Sequence, residues 1–102
     1  MGSIRYGTYP LLEIDDRVLA HIKAAVLAKL RRDESFAFTW VRSEQRGGGR
    51  ETVWVHPAIP FVFTFDSSAP EPLNRAWVEA LVEGANSPGG MQVVPEPHRE
   101  HA

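Results

Sequence analysis

The chain of 102 residues contains no cysteine. This absence excludes disulfide bonds, thiol catalysis and every zinc site that uses thiolate ligands, and it favours a cytoplasmic protein. The sequence also lacks an apolar signal region at its N-terminus and any apolar run of the roughly 18 residues that a membrane-spanning helix requires. We therefore expect a cytoplasmic protein that has no membrane partner.

A strong excess of positive charge is absent too. The chain carries 11 basic and 13 acidic residues, which gives a net charge of −2 at pH 7. Because domains that bind nucleic acid are usually far more basic, the composition disfavours that class of protein. Hydrophobic residues make up 43% of the chain, which is enough for one domain with a two-layer core.

Two segments have the apolar spacing of helices. The first follows Asp15, which is suited to cap the free N–H groups of the first turn. The second follows Pro72, which suits the first helical position, and it ends near Gly84 or the stretch 86–88. The apolar stripes of the two helices are formed by Leu19, Ile22, Val26 and Leu30, and by Leu73, Trp77, Val78 and Leu81.

Alternating apolar residues predict six short strands. Their segments are 3–6, 11–14, 35–42, 51–56, 61–66 and 91–94. With the helices the order is β-β-α-β-β-β-α-β, and the short links between three successive strands favour antiparallel pairing. We predict an α+β two-layer sandwich with one mostly antiparallel sheet and both helices on one face. A single domain would span residues 1–95, followed by a flexible tail at 96–102.

Large aromatic residues recur at every second position of two predicted strands. The two sets are Phe36, Phe38 and Trp40, and Phe61, Phe63 and Phe65. Side chains alternate between the faces of a strand, so each set shares one face, and burying one large apolar side chain gains roughly 1.5–3 kcal/mol. We therefore expect the rings to face the helices. The alternative, a stacking platform for single-stranded nucleic acid, requires exposed rings.

The opposite face of the sheet would then carry small and β-branched residues together with an exposed tryptophan. The residues that we expect there as a partner-binding surface are Trp54, His56, Thr39 and Thr64. Uncovered apolar surface often marks an interaction site, and tryptophan is a favoured anchor. We predict a non-enzymatic module that binds a protein partner or a second copy of itself as a homo-oligomer. Cover by a terminal segment of the same chain is the alternative.

Basic residues form two local groups that suggest another function, an accessory nucleic-acid-binding protein. Arg31 and Arg32 end the first helix, where they also oppose the negative end of the helix dipole. Arg42, Arg46 and Arg50 flank three successive glycines in a predicted hairpin loop, and arginine suits phosphate geometry. The loop lacks the lysine and the strand-to-helix context of a P-loop.

No convergent group of polar residues indicates catalysis. For His21, on the first helix, we expect a surface hydrogen bond, and no nucleophile-elbow pattern frames a serine that would work with His56. His98 and His101 lie on the predicted tail without an ordered carboxylate, which makes a weak metal site. We therefore predict no catalytic residue, no metal and no cofactor.

Three segments are distinctive as a pattern: DDRVLAHIKAAVLAKLRRDESFAFTW, VWVHPAIP and PLNRAWVEALVEGANSPGGMQVVPEP. Together they resemble a family of short actinobacterial proteins, of about the length of this chain, whose function is unknown. Some members carry an automatic label as ATP-dependent DNA ligases. Such a ligase needs an adenylated lysine in a Lys-x-Asp-Gly pattern, and the two lysines of this chain begin KAAV and KLRR instead. The resemblance therefore implies no catalytic residue.

Overall fold

The structure, a computed structural model, describes residues 1–98. The strands in that range are β1 (Gly2–Tyr6), β2 (Tyr9–Ile14), β3 (Phe36–Val41), β4 (Arg50–Val55), β5 (Phe61–Thr64) and β6 (Met91–Gln92). The helices are α1 (Asp16–Leu30) and α2 (Arg75–Ala85), and a short 3-10 turn covers Glu44–Arg46. Neither of these helices is long and apolar enough to cross a membrane.

The strands form two three-stranded sheets. Sheet A has the order β2-β1-β5 and is antiparallel, and sheet B has the order β4-β3-β6, with β6 parallel to β3. The predicted α+β class and the order of elements are confirmed, but the strands divide between two sheets where we expected one. The last part of the predicted tail, residues 99–102, lies outside the described residues.

The turn between β4 and β5 explains why the sheet divides. Pro57 and Pro60 stand at its two ends, and proline offers no N–H to a ladder. The carbonyl of Pro60 accepts a hydrogen bond from the N–H of Gly7 at 2.7 Å, which draws the chain toward the β1–β2 hairpin. β5 therefore pairs with β1 in sheet A instead of with β4, its neighbour in sequence.

Polar side chains begin both helices. Asp15 caps α1 as predicted, because its side chain accepts the N–H of Arg17 at 3.1 Å. Asn74 caps α2 by accepting the N–H of Ala76 at 3.1 Å. The predicted helix start at Pro72 is therefore wrong, since Asn74 supplies the acceptor that the free N–H groups of the first turn need.

The core lies between the helices and the inner faces of the sheets. The helices pack against each other, α1 packs on β1, and α2 packs on β3 and β6. The three aromatic residues of β3 are buried, as predicted, and Phe61, Phe63 and Phe65 are half-buried against the same core. The aromatic rings are core side chains, so the alternative of an exposed stacking platform does not hold.

A close approach of the backbone fixes β6 against β3. Gly90 has a φ of +77°, and a Cβ at this position would lie 2.7 Å from the carbonyl oxygen of Ala37. Only glycine suits both the left-handed backbone conformation and the contact. The approach lets β6 pair in parallel with β3.

The side chain of Tyr6 joins the two sheets. Its hydroxyl accepts the N–H of His56 at 2.9 Å and donates to the carbonyl of Trp54 at 2.9 Å. These two backbone groups lie on the edge of β4 that faces away from β3, so the hydroxyl takes the place of a neighbouring strand. A second tyrosine of the same hairpin, Tyr9, donates to the carboxylate of Glu51 at 2.8 Å, which raises the pKa of Tyr9.

We expect Tyr6→Phe to lower the free energy of unfolding by about 1 kcal/mol, because one hydroxyl makes two hydrogen bonds between sheets that share no ladder. Urea denaturation followed by circular dichroism measures the change. Tyr9→Phe is the matched control, since its hydroxyl makes a single hydrogen bond that is exposed to solvent. Equal losses in the two variants would contradict a special role for Tyr6.

Candidate interaction surface

Strand alternation and register define the outer face of sheet B. The face consists of three cross-strand pairs and one residue of β6: Ala37–Trp54, Thr39–Thr52, Val41–Arg50 and Gln92. The alternate residues of β3 point into the core. The hydroxyls of Thr39 and Thr52 are hydrogen-bonded at 2.8 Å, which orders the centre of the face. Among these seven residues, Arg50 is the only one that is charged.

Two large apolar side chains of this face are open to solvent. Val41 is 80% exposed and Trp54 is 62% exposed, whereas the other two tryptophans, Trp40 and Trp77, are buried. No segment within residues 1–98 covers Trp54 or Val41, so internal cover does not hold for the described chain. The Thr39–Thr52 pair lies between them, so the two exposed side chains stand at opposite ends of one sheet face. Uncovered apolar side chains on one face are typical of interaction sites.

The structure brings together part of the predicted binding surface. Trp54 and Thr39 share the outer face of sheet B. His56 is exposed just beyond β4, where its Nδ1 accepts the N–H of Ala58 at 3.0 Å. Thr64 is exposed on β5 in sheet A, so the division into two sheets separates it from Trp54.

A cleft of about 710 Å³ runs beside the outer face of sheet B. It is lined by Leu12, Glu13, Ile14, Thr39, Trp40, Val41, Arg50, Thr52, Gly89, Gln92 and Val93. One wall comes from β2 of sheet A, and the rest comes from sheet B and the chain around β6. The sequence did not reveal this cleft, because nothing in the local pattern of β2 indicates that it lies near β3 and β6.

The predicted arginines of the hairpin loop are only partly free. The Nε of Arg42 donates to the carbonyl of Gly48 at 2.7 Å, so this guanidinium holds the loop together. Arg46 is exposed in the 3-10 turn, and Arg50 is exposed on the outer face of sheet B. The three residues therefore do not present three equivalent cations to a phosphate chain.

The arginines at the end of α1 lie far from the hairpin loop. Arg31 and Arg32 are exposed before β3 begins, whereas the loop follows its end, and a strand of six residues spans roughly 20 Å. Their neighbour Lys29 is buried, where it binds the carboxylate of Glu34 at 3.0 Å and the side chain of Asn86. The hydrogen bond from Lys29 lowers the pKa of Glu34.

A polar cluster ties the chain after β6 to the start of α1. Arg17 Nη2 lies 2.6 Å from a Glu96 carboxylate oxygen, and Arg17 Nη1 lies 3.4 Å from Glu71. Asn74 Nδ2 also donates to Glu96, at 3.0 Å. The hydrogen bonds from Arg17 and Asn74 lower the pKa of Glu96 from 4.5 to about 2. These groups satisfy one another, so the cluster is a structural clamp.

His21 belongs to the same region and is not the surface residue that we expected. It is fully buried, and its ring stacks on Trp77 with 4.3 Å between the centroids. The Nε2 atom accepts the N–H of Asn74 at 2.8 Å, so Nδ1 carries the proton and donates to the carbonyl of Arg17 at 2.7 Å. The expectation failed because the covering residues come from α2, which helical spacing in α1 cannot place.

The structure thus defines the protein as an α+β domain of two sheets with one uncovered, almost uncharged sheet face. A family described as Domain of unknown function (DUF7882) matches residues 1–96, and the chain belongs to this family. No curated protein and no solved structure matches the chain.

We expect His21→Phe to lower the free energy of unfolding by about 1–3 kcal/mol, because the buried N–H of Asn74 loses its acceptor while the stacking on Trp77 remains. His21→Gln retains an acceptor oxygen and should recover part of the loss. Urea denaturation of both variants provides the comparison. A His21→Phe variant as stable as the parent protein would show that the hydrogen bond is dispensable.

We expect the stability of the protein to fall as the pH drops from about 5 toward 2, in part through Glu96. Its pKa is lower in the folded state than in the unfolded chain, so the ionised carboxylate stabilises the fold above pH 5 and this contribution is lost when the group is protonated. Glu96→Gln should give a flatter profile of unfolding free energy against pH over this range. Glu79→Gln, on the exposed side of α2, is the control. Its unfolding free energy should change with pH as steeply as that of the parent protein.

Proposed function

We propose that this protein is a non-enzymatic interaction module that binds a protein partner through the outer face of sheet B. The observation that carries the proposal is the exposed indole of Trp54 on a sheet face with a single charged residue. Backbone pairing of β3 and β4 fixes this face in advance, so a partner that covers it loses little conformational entropy. Tryptophan is also enriched among the residues that dominate interface energies.

The composition of the face supports a protein partner over nucleic acid. A phosphate backbone is bound by several cations along its path, whereas the face carries Arg50 alone. Arg31 and Arg32 lie at the opposite end of β3 from Arg50. The accessory nucleic-acid role therefore stays a prediction that the geometry does not favour.

The proposal also accounts for the lack of ligase chemistry. An interaction module needs no adenylated lysine, in keeping with the absence of a Lys-x-Asp-Gly pattern from the chain. The actinobacterial origin, the ligase label of the related proteins and the cytoplasmic location stay predictions from the sequence.

We expect a photo-crosslinking amino acid at position 54 to form adducts with one identifiable protein in cells of the native host. The same substitution at Leu73 is the control, because Leu73 is also an exposed apolar residue, 52% accessible, but it lies beside α1.

With the identified protein in purified form, Trp54→Ala should raise the dissociation constant of the complex by more than tenfold, since an interface tryptophan commonly contributes about 2 kcal/mol or more. The circular dichroism spectrum should not change, because Trp54 is outside the core.

Two outcomes would contradict the proposal. One is the absence of any protein adduct that is specific to position 54. The other is binding of DNA or RNA fragments that weakens steeply with salt and needs Arg42, Arg46 or Arg50, which would support the nucleic-acid alternative instead.

A further inference from the structure

Two opposite charges in the cleft beside the outer face of sheet B have no partner within residues 1–98. Glu13 enters the cleft from β2 in sheet A, and Arg50 enters it from β4 in sheet B. Neither forms an ion pair with another described residue. The cleft thus contains one negatively charged and one positively charged side chain, both without an ion-pair partner in the described chain.

Apart from these two residues, the lining of the cleft is neutral. Thr39 and Thr52 bond each other across β3 and β4, and the exposed Val41 lies beside Arg50 in register. Leu12, Ile14 and Val93 add apolar lining. The cleft therefore carries one charge of each sign on an otherwise neutral lining, and the sheet face that borders it extends to Trp54.

We propose that the partner covering this surface is a second copy of the same chain, which forms a two-fold symmetric dimer; the inference rests on the proposed function of the face. In such a dimer every contact occurs twice with the roles exchanged. Glu13 of each copy then meets Arg50 of the other, and both charges are paired without any further group. The neutral lining of the cleft in one copy packs against the neutral lining in the other.

Charge complementarity favours this occupant over others. A nucleic acid or an acidic peptide would pair with Arg50 but would bring negative charge against Glu13, and a basic peptide would do the reverse at Arg50. Like charges in contact across an interface oppose binding and fix which partner is accepted. A surface that carries one charge of each sign is complementary to itself.

The test uses charge reversal at the two positions. Sedimentation equilibrium measures the dimer dissociation constant of the parent protein and of Glu13→Arg, Arg50→Glu and the double variant that combines them. Each single variant places like charges at both contacts, so we expect its dimer dissociation constant to rise by about tenfold or more. The double variant exchanges the charges and should dimerise close to the parent level.

Mixing the two single variants gives the sharpest result. A dimer of one Glu13→Arg chain with one Arg50→Glu chain has opposite charges at both contacts, so native mass spectrometry should find this mixed dimer in preference to either homodimer. Glu79→Arg and Arg5→Glu are controls, because both residues are exposed away from the cleft and make the same changes in net charge. They should leave the dissociation constant unchanged.

The outcomes separate the dimer from the wider proposal. A parent protein that stays monomeric at the highest concentration that remains in solution overturns the dimer, as does a dimer that responds to neither charge reversal. If position 54 nevertheless crosslinks to a different protein, the interaction module stands and the partner is another chain. If position 54 crosslinks to no protein, the proposed function fails together with the dimer.

Discussion

The hydroxyl of Tyr6 connects two sheets that no backbone ladder joins, and the candidate surface depends on that connection. It binds two backbone groups on the edge of β4 that faces away from β3, the N–H of His56 and the carbonyl of Trp54. An open strand edge invites pairing with other chains. The hydroxyl satisfies these two groups, so this end of the edge offers less free backbone to another strand.

Burial on one side of sheet B has a direct consequence for the other side. The aromatic residues of β3 fill the core together with α2, and the strict alternation of a strand then forces Thr39 and Val41 outward. β4 follows the same alternation in register and places Trp54 on the same face, opposite Ala37. The exposed apolar residues are therefore a result of how the core is built, and their presence on one face is what supports the proposed interaction.

Polar groups elsewhere in the molecule serve the fold. His21, Arg17, Asn74 and Glu96 bind one another where the two helices begin and where the chain leaves β6. Because both ring nitrogens of His21 are occupied and the ring is buried, the cluster has no free group to offer a ligand. Glu13 and Arg50, in contrast, have no partner within the described chain and lie at an accessible cleft.

Several features could be predicted from local periodicity alone: the α+β class, the order of elements, the Asp15 cap, the buried rings of β3 and the exposure of Trp54. Local spacing is sufficient for these because a strand alternates with period two and a helix buries a stripe of its own residues. Three other features became visible only in the folded chain: the strands form two sheets, His21 is buried under Trp77, and Glu13 and Arg50 share one cleft. Each of these depends on contacts between residues far apart in the chain, and no local pattern encodes which distant strand or helix a segment will meet.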